Sequence, residues 1–229
     1  MVIPPILIRT VPQVTEPVVE EWWSETVALH PDWECVTYRD PLPPDEWPIT
    51  SRHWRRCTSG AQMAGLIRLE ALWHRGGIYL DSDIQVLKPL DPLLATHLVA
   101  ARQDSRTVPD AMIGSVRHHP AIAACIKWAI RLLPFGAAAS GPHVTTMMFT
   151  EYPGITILPP ESFFPYLWNE DIPPIDALRA SPGVYGVHHW AGSWVQTHQR
   201  SRAFAGRLAR MPIRIAIKAE VARTRTRER

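Results

Sequence analysis

Two aspartates separated by a single serine are the residues of this chain whose types and spacing most directly suggest chemistry. Asp81 and Asp83 follow an apolar run, Ile78-Tyr79-Leu80. In an extended backbone, side chains two residues apart leave on the same face, so the two carboxylates would lie a few ångström apart. Carboxylates at such a distance repel each other unless a cation or a proton lies between them.

A divalent metal ion is the usual partner of such a carboxylate pair. Mg²⁺ and Mn²⁺ prefer oxygen ligands, and their open coordination positions suit phosphate oxygens. We therefore expect a metal–diphosphate site where the strand ends. The alternative for an Asp-Ser-Asp sequence is a plain polar turn, which the apolar lead-in and the glycine pair Gly76-Gly77 make less favourable.

A helix that ends at these glycines must position the strand. Gly60 to Arg75 carries apolar residues at helical spacing, and Ser59 is placed to cap the first turn. Gly76 follows at the position where helices commonly end. Arg68 lies within this helix, either as a solvated surface charge or as a cation aimed at a ligand beside the following strand.

Further short strands and helices follow along the chain. Strands are predicted at Ile6–Ile8, Trp33–Tyr38, Ile84–Leu87, Leu98–Ala101 and Ile155–Leu158, and helices at Glu16–Leu29 and Pro120–Leu133. The proline-rich segment Asp40–Ile49 predicts no regular structure. The segment Pro109–Ser115 reads as a loop that feeds a strand and presents Asp110. A first strand so close to the N-terminus suits an α/β domain whose ligand lies at the carboxyl ends of its strands.

Two later segments could complete a ligand site. Gly141 and Pro142 form a turn before a helix start, where backbone N–H groups can meet an anion. His188 follows an apolar strand that begins near Val184, and an imidazole there can complete the coordination of a metal already held by carboxylates. The alternative for His188 is a satisfied core histidine beside two tryptophans.

The composition fits one globular domain of 229 residues, large enough to bury a core. The three cysteines, Cys35, Cys57 and Cys125, are widely spaced and form no CxxC pair, which favours a reducing compartment. The N-terminal residues lack the pattern of a signal peptide, and no apolar run approaches the about 20 residues that span a bilayer. We expect a cytoplasmic protein that is at most peripheral to the inner face of the membrane.

The charge is distributed unevenly along the chain. Residues 200–229 contain ten Arg or Lys and two Glu, whereas residues 1–199 contain 14 basic and 20 acidic side chains. We therefore divide the chain into a domain at 1–199 and a basic tail at 200–229, helical or disordered. The tail is a candidate for contact with an anionic membrane or with nucleic acid, or else a solvated, frayed terminus.

The residues described so far carry a family resemblance. The segment around the aspartates resembles the signature of glycosyltransferase family 32, the DXD-containing sugar transferases, and reads GLIRLEALWHRGGIYLDSDIQVLKPLDPL. Four further segments are similar to family motifs and occur in the same order, PPILIRTVP, PDAMIGS, SGPHVTT and VHHWAGSW. The family includes fungal mannosyltransferases and bacterial capsule or lipo-oligosaccharide enzymes, and is related to the clostridial glucosylating toxins. The resemblance covers about residues 4 to 195.

The resemblance implies a GT-A fold, a Rossmann-like α/β domain with a mixed central sheet. It implies a retaining transfer of a sugar from a nucleoside-diphosphate sugar, with uridine as the favoured base, to a hydroxyl of a glycan, lipid-linked or protein acceptor. It also implies Mn²⁺ or Mg²⁺ as cofactor.

Individual roles follow from the same resemblance. It assigns Asp83 as the main metal ligand, Asp81 to the donor ribose and the metal, and His188 to the metal, with His189 a less favoured alternative. Arg68 would contact the donor sugar or diphosphate, and Asp110 is a candidate for stabilising an oxocarbenium-like centre. The remaining predicted donor contacts are Ile8, Arg9, Thr10, Tyr79, Gly141, Pro142, Ser193 and Trp194.

Three departures from the family pattern fall in the donor pocket. Gly65 replaces an aspartate, Asp110 replaces an asparagine, and Arg9-Thr10 replaces a His-Gln pair. A catalytically weak nucleotide-sugar-binding module is therefore one alternative. A haloacid-dehalogenase-type phosphatase, which also places DxD after a strand, and a nucleic-acid-modifying transferase anchored by the tail are others.

Overall fold

The computed structural model describes residues 2–190, 218–219 and 221–222 of the chain. Its strands are β1 Ile6–Val11, β2 Glu34–Arg39, β3 Gly77–Leu80, β4 Ile84–Val86, β5 Leu98–Ala101, β6 Met112–Ser115, β7 Thr156–Leu158 and β8 Gly186–His188. Its helices are α1 Pro17–Ala28, α2 Gly60–Arg75, α3 Pro120–Leu132, α4 Ala137–Ser140, α5 Pro142–Glu151 and α6 Ile175–Ala180. The order of elements is that of an α/β domain, as predicted.

The central sheet has six strands in the order β2-β1-β3-β6-β5-β7. Strand β1 runs parallel to both β2 and β3, whereas β6 runs antiparallel to β3 and β5. The predicted mixed sheet is confirmed. The carboxyl ends of β2, β1 and β3 therefore lie side by side at one edge, and the residues that follow these three strands can meet there.

A tight turn, rather than a continued strand, carries the aspartate pair. Strand β3 ends at Leu80, and the Ile84 amide donates to the Asp81 carbonyl at 3.0 Å, which closes a four-residue turn. The expectation of an extended backbone through Asp83 is therefore wrong. Beyond the turn, β4 leaves the central sheet and pairs with β8 in a separate two-stranded sheet.

Helix α2 packs beside β1 and β3 and begins and ends where the sequence indicates. The Ser59 side chain accepts a hydrogen bond from the Gln62 amide, and the Gly76 amide donates to the Leu72 carbonyl. Gly76 has a φ of 67°, and a Cβ there would lie 2.9 Å from the Ser115 carbonyl oxygen. Only glycine can therefore make the sharp passage from α2 into the fully buried strand β3.

The proline-rich segment after β2 is more ordered than predicted. It contains a short 3₁₀ helix at Pro44–Glu46, and a second follows at Ser51–Arg56. The buried carboxylate of Glu70, on α2, accepts hydrogen bonds from the Ile49 amide and from the amide and hydroxyl of Thr50, at 2.6 to 2.8 Å. This one side chain ties the segment to α2.

The C-terminal part of the chain is described at only four positions. Lys218 forms an ion pair with Glu151 of α5 at 3.4 Å, and Val221 is buried in the larger core cluster. The predicted donor contacts Ser193 and Trp194 lie outside the described residues, and so do the other residues of the predicted basic tail. Among the described residues, no helix has the length and apolar character needed to cross a membrane.

Candidate active site

The turn after β3 brings together three side chains that can ligate a metal. Ligand atoms of Asp81, Asp83 and His188 all lie within 4.8 Å of one another. The pairing of β4 with β8 sets this geometry, because Ile84 lies opposite His188 in the small sheet. The Nε2 atom of His188 is 3.4 Å from Oδ1 of Asp83.

Arg68 is fixed beside this cluster by two carboxylates and an aromatic ring. Its guanidinium lies 2.6 Å from Oδ1 of Asp81 and 2.9 Å from Oδ2 of Asp110, and it also donates to the Asp110 carbonyl. The ring of Tyr79 lies below the guanidinium, 4.5 Å from centroid to Cζ. Burial works to lower the pKa of Arg68, but Asp110 and Asp81 together raise it, so the side chain keeps its charge. The interpretation of Arg68 as a solvated helix charge is wrong.

The surroundings of the aspartate pair favour binding of a cation. Burial raises the pKa of Asp81 to about 7, since Arg68 only partly offsets it and the charges of Asp83 and Asp110 add to it. Burial also lowers the pKa of His188, which keeps the imidazole neutral and able to ligate. Two crowded carboxylates and a neutral imidazole therefore fit a divalent ion such as Mn²⁺ or Mg²⁺.

A cavity of about 370 Å³ opens next to this cluster, at the carboxyl ends of β1, β2 and β3. Apolar and small residues of α2 and of the loops after β1 and β2 form most of its wall. Its charged lining residues are Glu16, Asp40, Arg68, Asp81 and Asp83. Four of these five side chains are acidic, and the volume is that of a small-molecule site.

The predicted donor contacts on β1 and β3 take different positions around the cavity. Thr10 lines it, and its hydroxyl lies 2.7 Å from the Tyr79 hydroxyl. Tyr79 is fully buried beneath the site and donates to Asp81 at 3.1 Å. Ile8 is also fully buried and packs in the core. Of these three residues only Thr10 forms part of the cavity wall.

Arg9 is not directed into the cavity. Neighbouring residues of a strand point to opposite faces, so Arg9 points away from the side on which Thr10 lies. Its guanidinium pairs with Glu20 and donates to Thr37 at 3.0 Å, and it lies 4.6 Å from the ring centroid of Trp23. A direct donor contact by Arg9 does not agree with this placement.

Asp110 lies in a niche between two glycines. Its carboxylate is 2.9 Å from the position that a Cβ of Gly141 would take, and 3.7 Å from the position for Gly65. The start of α5, predicted at Gly141-Pro142 to meet an anionic ligand, thus packs against the chain's own carboxylate. Asp110 is 4% exposed and does not line the cavity, so a direct contact with the sugar does not agree with its placement.

His189, the less favoured metal ligand, is occupied elsewhere. Its ring stacks on Trp22 with centroids 4.0 Å apart and an angle of 9° between the planes, and its Nε2 lies 3.1 Å from Oε1 of Gln85. The histidine that reaches the aspartates is therefore His188.

Asp40 and Glu16 were missed as candidate site residues. Asp40 follows the carboxyl end of β2, and Glu16 precedes α1. The signal that could have found Asp40 is its position, because a polar residue directly after a parallel strand next to β1 lies at the ligand edge of the sheet.

Part of this site lies in a segment that matches a known protein family. Residues 20–100, which contain the α2–β3 unit and the aspartate turn, match the family model described as glycosyltransferase sugar-binding region containing DXD motif. This segment of the chain is similar to DXD-type glycosyltransferases.

Proteins with similar sequences are enzymes named for sugar transfer. The lactosylceramide 4-alpha-galactosyltransferase of Rattus norvegicus is 30% identical over 162 residues, 62% of this chain and 44% of that protein. The inositol phosphoceramide mannosyltransferase 2 of Schizosaccharomyces pombe is 33% identical over 127 residues, 52% of this chain and 36% of that protein. The chain spans less than half the length of either relative.

Solved structures with the same fold are also glycosyltransferases. The PaToxG glycosyltransferase superposes with a TM-score of 0.55 at 16% identity, over 67% of this chain and 70% of that one. An active-site mutant of LgtC gives 0.50 at 12% identity, over 80% of this chain and 86% of that one. The DXD region is therefore set in a GT-A fold, as predicted.

Proposed function

We propose that this protein is a metal-dependent, retaining glycosyltransferase. It moves a sugar from a nucleoside-diphosphate sugar to a hydroxyl group. The observation that carries the proposal is the convergence of Asp81, Asp83 and His188 next to a cavity at the carboxyl ends of β1, β2 and β3. The DXD-type family match over residues 20–100 supports the same chemistry.

The charge of the cavity explains why a metal would be needed. Within the described part of the lining, four acidic side chains face a single arginine, Arg68, which is already paired with Asp81 and Asp110. An anionic diphosphate is repelled by such a surface unless a cation binds with it. A divalent ion held by Asp81, Asp83 and His188 would offset the charge of the two aspartates and stabilise the leaving diphosphate.

Arg68 and Asp110 act together in this proposal. Arg68 lies next to Asp81 and is placed to contact the diphosphate or the sugar from the side of α2. Asp110 lies behind Arg68 and holds its guanidinium from the opposite side. We therefore assign Asp110 as a positioning residue that acts through Arg68, in place of a direct role at the reacting carbon.

The transfer step follows from retention of configuration. The acceptor oxygen forms a bond to the anomeric carbon from the face that the diphosphate leaves, while the bond to the diphosphate oxygen breaks. The acceptor proton passes to a phosphate oxygen of the leaving group. The two relatives are named for ceramide-containing acceptors, and a lipid-linked or glycan hydroxyl is accordingly the proposed acceptor class.

Donor turnover tests the proposal. Release of free sugar from a panel of UDP-, GDP- and dTDP-sugars is measured with and without Mn²⁺ on the wild type, Asp83→Ala and the exposed control Asp45→Asn. We expect Mn²⁺-dependent hydrolysis of one donor by the wild type and the control, and none by Asp83→Ala. Equal hydrolysis with Asp83→Ala would contradict the proposal.

One observation favours a second candidate, a nucleotide-sugar-binding module. Gly65 provides no side chain toward Asp110, where the resembling family carries an aspartate. A binding module would bind one sugar nucleotide with Mn²⁺ yet neither hydrolyse nor transfer it. The phosphatase alternative has no support from the comparisons. Phosphatases of that class need a lysine, and the described part of the cavity wall contains none.

A further inference from the structure

We propose that Asp40 reads the base of the donor and selects guanine, in contrast to the uridine that the family resemblance favours. This inference rests on the proposed function, because it concerns the nucleotide end of the same cavity. It starts from the position of Asp40 directly after β2, where it lines the cavity together with Tyr38 and Leu42.

The order of the strands leaves room for a ribose between Asp40 and the metal cluster. Strand β1 lies between β2 and β3, so residues at the ends of β2 and β3 are two strand spacings apart, about 10 Å. Asp81 and Asp83 follow β3 and hold the diphosphate end. The end of β1, at Thr10 and Val11, lies between the two and lines the same cavity. A nucleotide laid along this edge therefore brings its base to the end of β2.

The wall around Asp40 suits the faces of a base. Tyr38 and Leu42 lie two residues to either side of Asp40 along the chain, and Met63 and Ile67 approach from α2. These side chains are apolar or aromatic, and they favour the flat faces of a purine or pyrimidine over water. They carry no charge, so Asp40 is the charged group at this end of the cavity that can bind the base edge, whereas Glu16 lines the cavity from the start of α1.

The Asp40 carboxylate is available for such a contact. Among the described residues, no hydrogen bond or ion pair engages this side chain, and only its backbone amide is bonded, to the Val11 carbonyl at 3.1 Å. A carboxylate accepts hydrogen bonds and donates none. Its two oxygens match a pair of adjacent N–H donors, as in the two-point pairs that it forms with arginine.

Guanine is the base with such a pair of donors. Its Watson–Crick edge presents N1–H and the N2 amino group side by side. Adenine and cytosine each present one amino group next to an acceptor nitrogen. Uracil presents one N–H between two carbonyl oxygens, which a carboxylate repels. The chemistry of Asp40 therefore favours guanine, which offers two adjacent donor groups, over the other three bases, which each offer one.

Calorimetric titration with GDP and with UDP, each with Mn²⁺, tests this inference. We expect the wild type to bind GDP at least about tenfold more tightly than UDP, since a charge-assisted hydrogen bond contributes that much. Asp40→Asn keeps the size of the side chain but loses one acceptor, so GDP affinity should fall by about tenfold while UDP affinity holds or rises. The matched control is Asp32→Asn, an exposed aspartate that precedes β2 at the opposite edge of the sheet. Thermal unfolding confirms that both variants fold.

The outcomes separate this inference from the proposed function. Mn²⁺-dependent binding of UDP equal to or tighter than that of GDP, unchanged in Asp40→Asn, would overturn the inference and leave the proposed function intact. Binding of neither nucleotide by the folded wild type would overturn both. A loss of GDP affinity in Asp32→Asn equal to that in Asp40→Asn would also overturn the role of Asp40.

Discussion

The guanidinium of Arg68 lies between the buried carboxylate of Asp110 and the partly buried carboxylate of Asp81, and this arrangement organises the site at the scale of single residues. Asp81 faces the cavity and Asp110 lies behind. Gly65 and Gly141 leave the space in which the Asp110 carboxylate fits. Position 65 itself carries no carboxylate. The carboxylate next to it is that of Asp110, which lies in the loop before β6.

Replacement of Asp110 tests its positioning role. Asp110→Asn keeps the volume but removes the charge that holds Arg68, so kcat for donor hydrolysis should fall by about tenfold or more. Affinity for Mn²⁺ should change little, because Asp81, Asp83 and His188 remain. The measurement is kcat, KM and Mn²⁺ affinity for the variant, the wild type and Asp45→Asn. An unchanged kcat would show that Arg68 does not depend on Asp110.

Substitutions at Gly65 test the same niche from the side of α2. A Cβ there lies at an ordinary contact distance, 3.7 Å from Asp110, so Gly65→Ala should stabilise the helix by about 0.5 to 1 kcal/mol. Gly65→Asp adds a second buried carboxylate beside Asp110 and should lower the free energy of unfolding by about 2 kcal/mol. Urea unfolding of the two variants measures both effects. Equal stability of the Ala and Asp variants would contradict the placement of Asp110.

At the scale of elements, helix α2 and several short strands were predictable, whereas the pairing of the strands was not. Helix α2 follows from its apolar spacing, its Ser59 cap and its terminal glycine. Strands β4 and β8 contain three residues each, too few to show a period, so their separate sheet was not foreseen. That pairing brings His188 to the aspartates. The predicted donor contact of Arg9 does not agree with the structure for a related reason. Which face of β1 bears the ligand depends on how the strand packs, and the spacing of residues along the strand does not give this.

Helix α3 contains a pH-sensitive cap. Nδ1 of His119 accepts a hydrogen bond from the Ala121 amide, and burial lowers the pKa of His119 to about 4. Protonation removes this acceptor. The stability that neutral His119 provides is therefore present above about pH 6.5, the usual value, and is lost as the pH falls toward 4.

Replacement of this cap gives the corresponding test. His119→Asn offers an acceptor that does not titrate, and asparagine is a favoured N-cap. Between pH 7 and pH 4.5 the melting temperature of the wild type should fall by more than that of the variant. Parallel pH profiles for the two proteins would contradict the cap.

At the scale of the whole molecule, Val221 and Lys218 of the predicted tail contact the domain. Val221 is 5% exposed and belongs to the core cluster that contains residues of α3 and α5, although the sequence suggested a tail separate from the domain. Ile213, Ile217 and Val221 recur at intervals of four residues, an apolar spacing typical of a helix, so the sequence held a signal for this contact that the charge of the segment obscured. Binding of the basic tail to a membrane or to nucleic acid stays a prediction.

The contact of Val221 predicts that the tail contributes to stability. Val221→Ala removes two buried methyl groups and should cost about 1.5 kcal/mol of unfolding free energy. Lys218→Ala is the matched control, because its ion pair with Glu151 is exposed and contributes little. Chemical denaturation measures both variants. No change in Val221→Ala would mean that Val221 does not pack on the core in solution.

Calorimetric titration of Mn²⁺ in the presence of a nucleoside diphosphate tests the central claim most directly. The account predicts one Mn²⁺ site per chain, with affinity at least about tenfold weaker in Asp83→Asn and unchanged in the exposed control Asp45→Asn. Equal Mn²⁺ affinity in Asp83→Asn and the wild type, or nucleotide binding that needs no metal, would contradict a metal–diphosphate site at the aspartate turn.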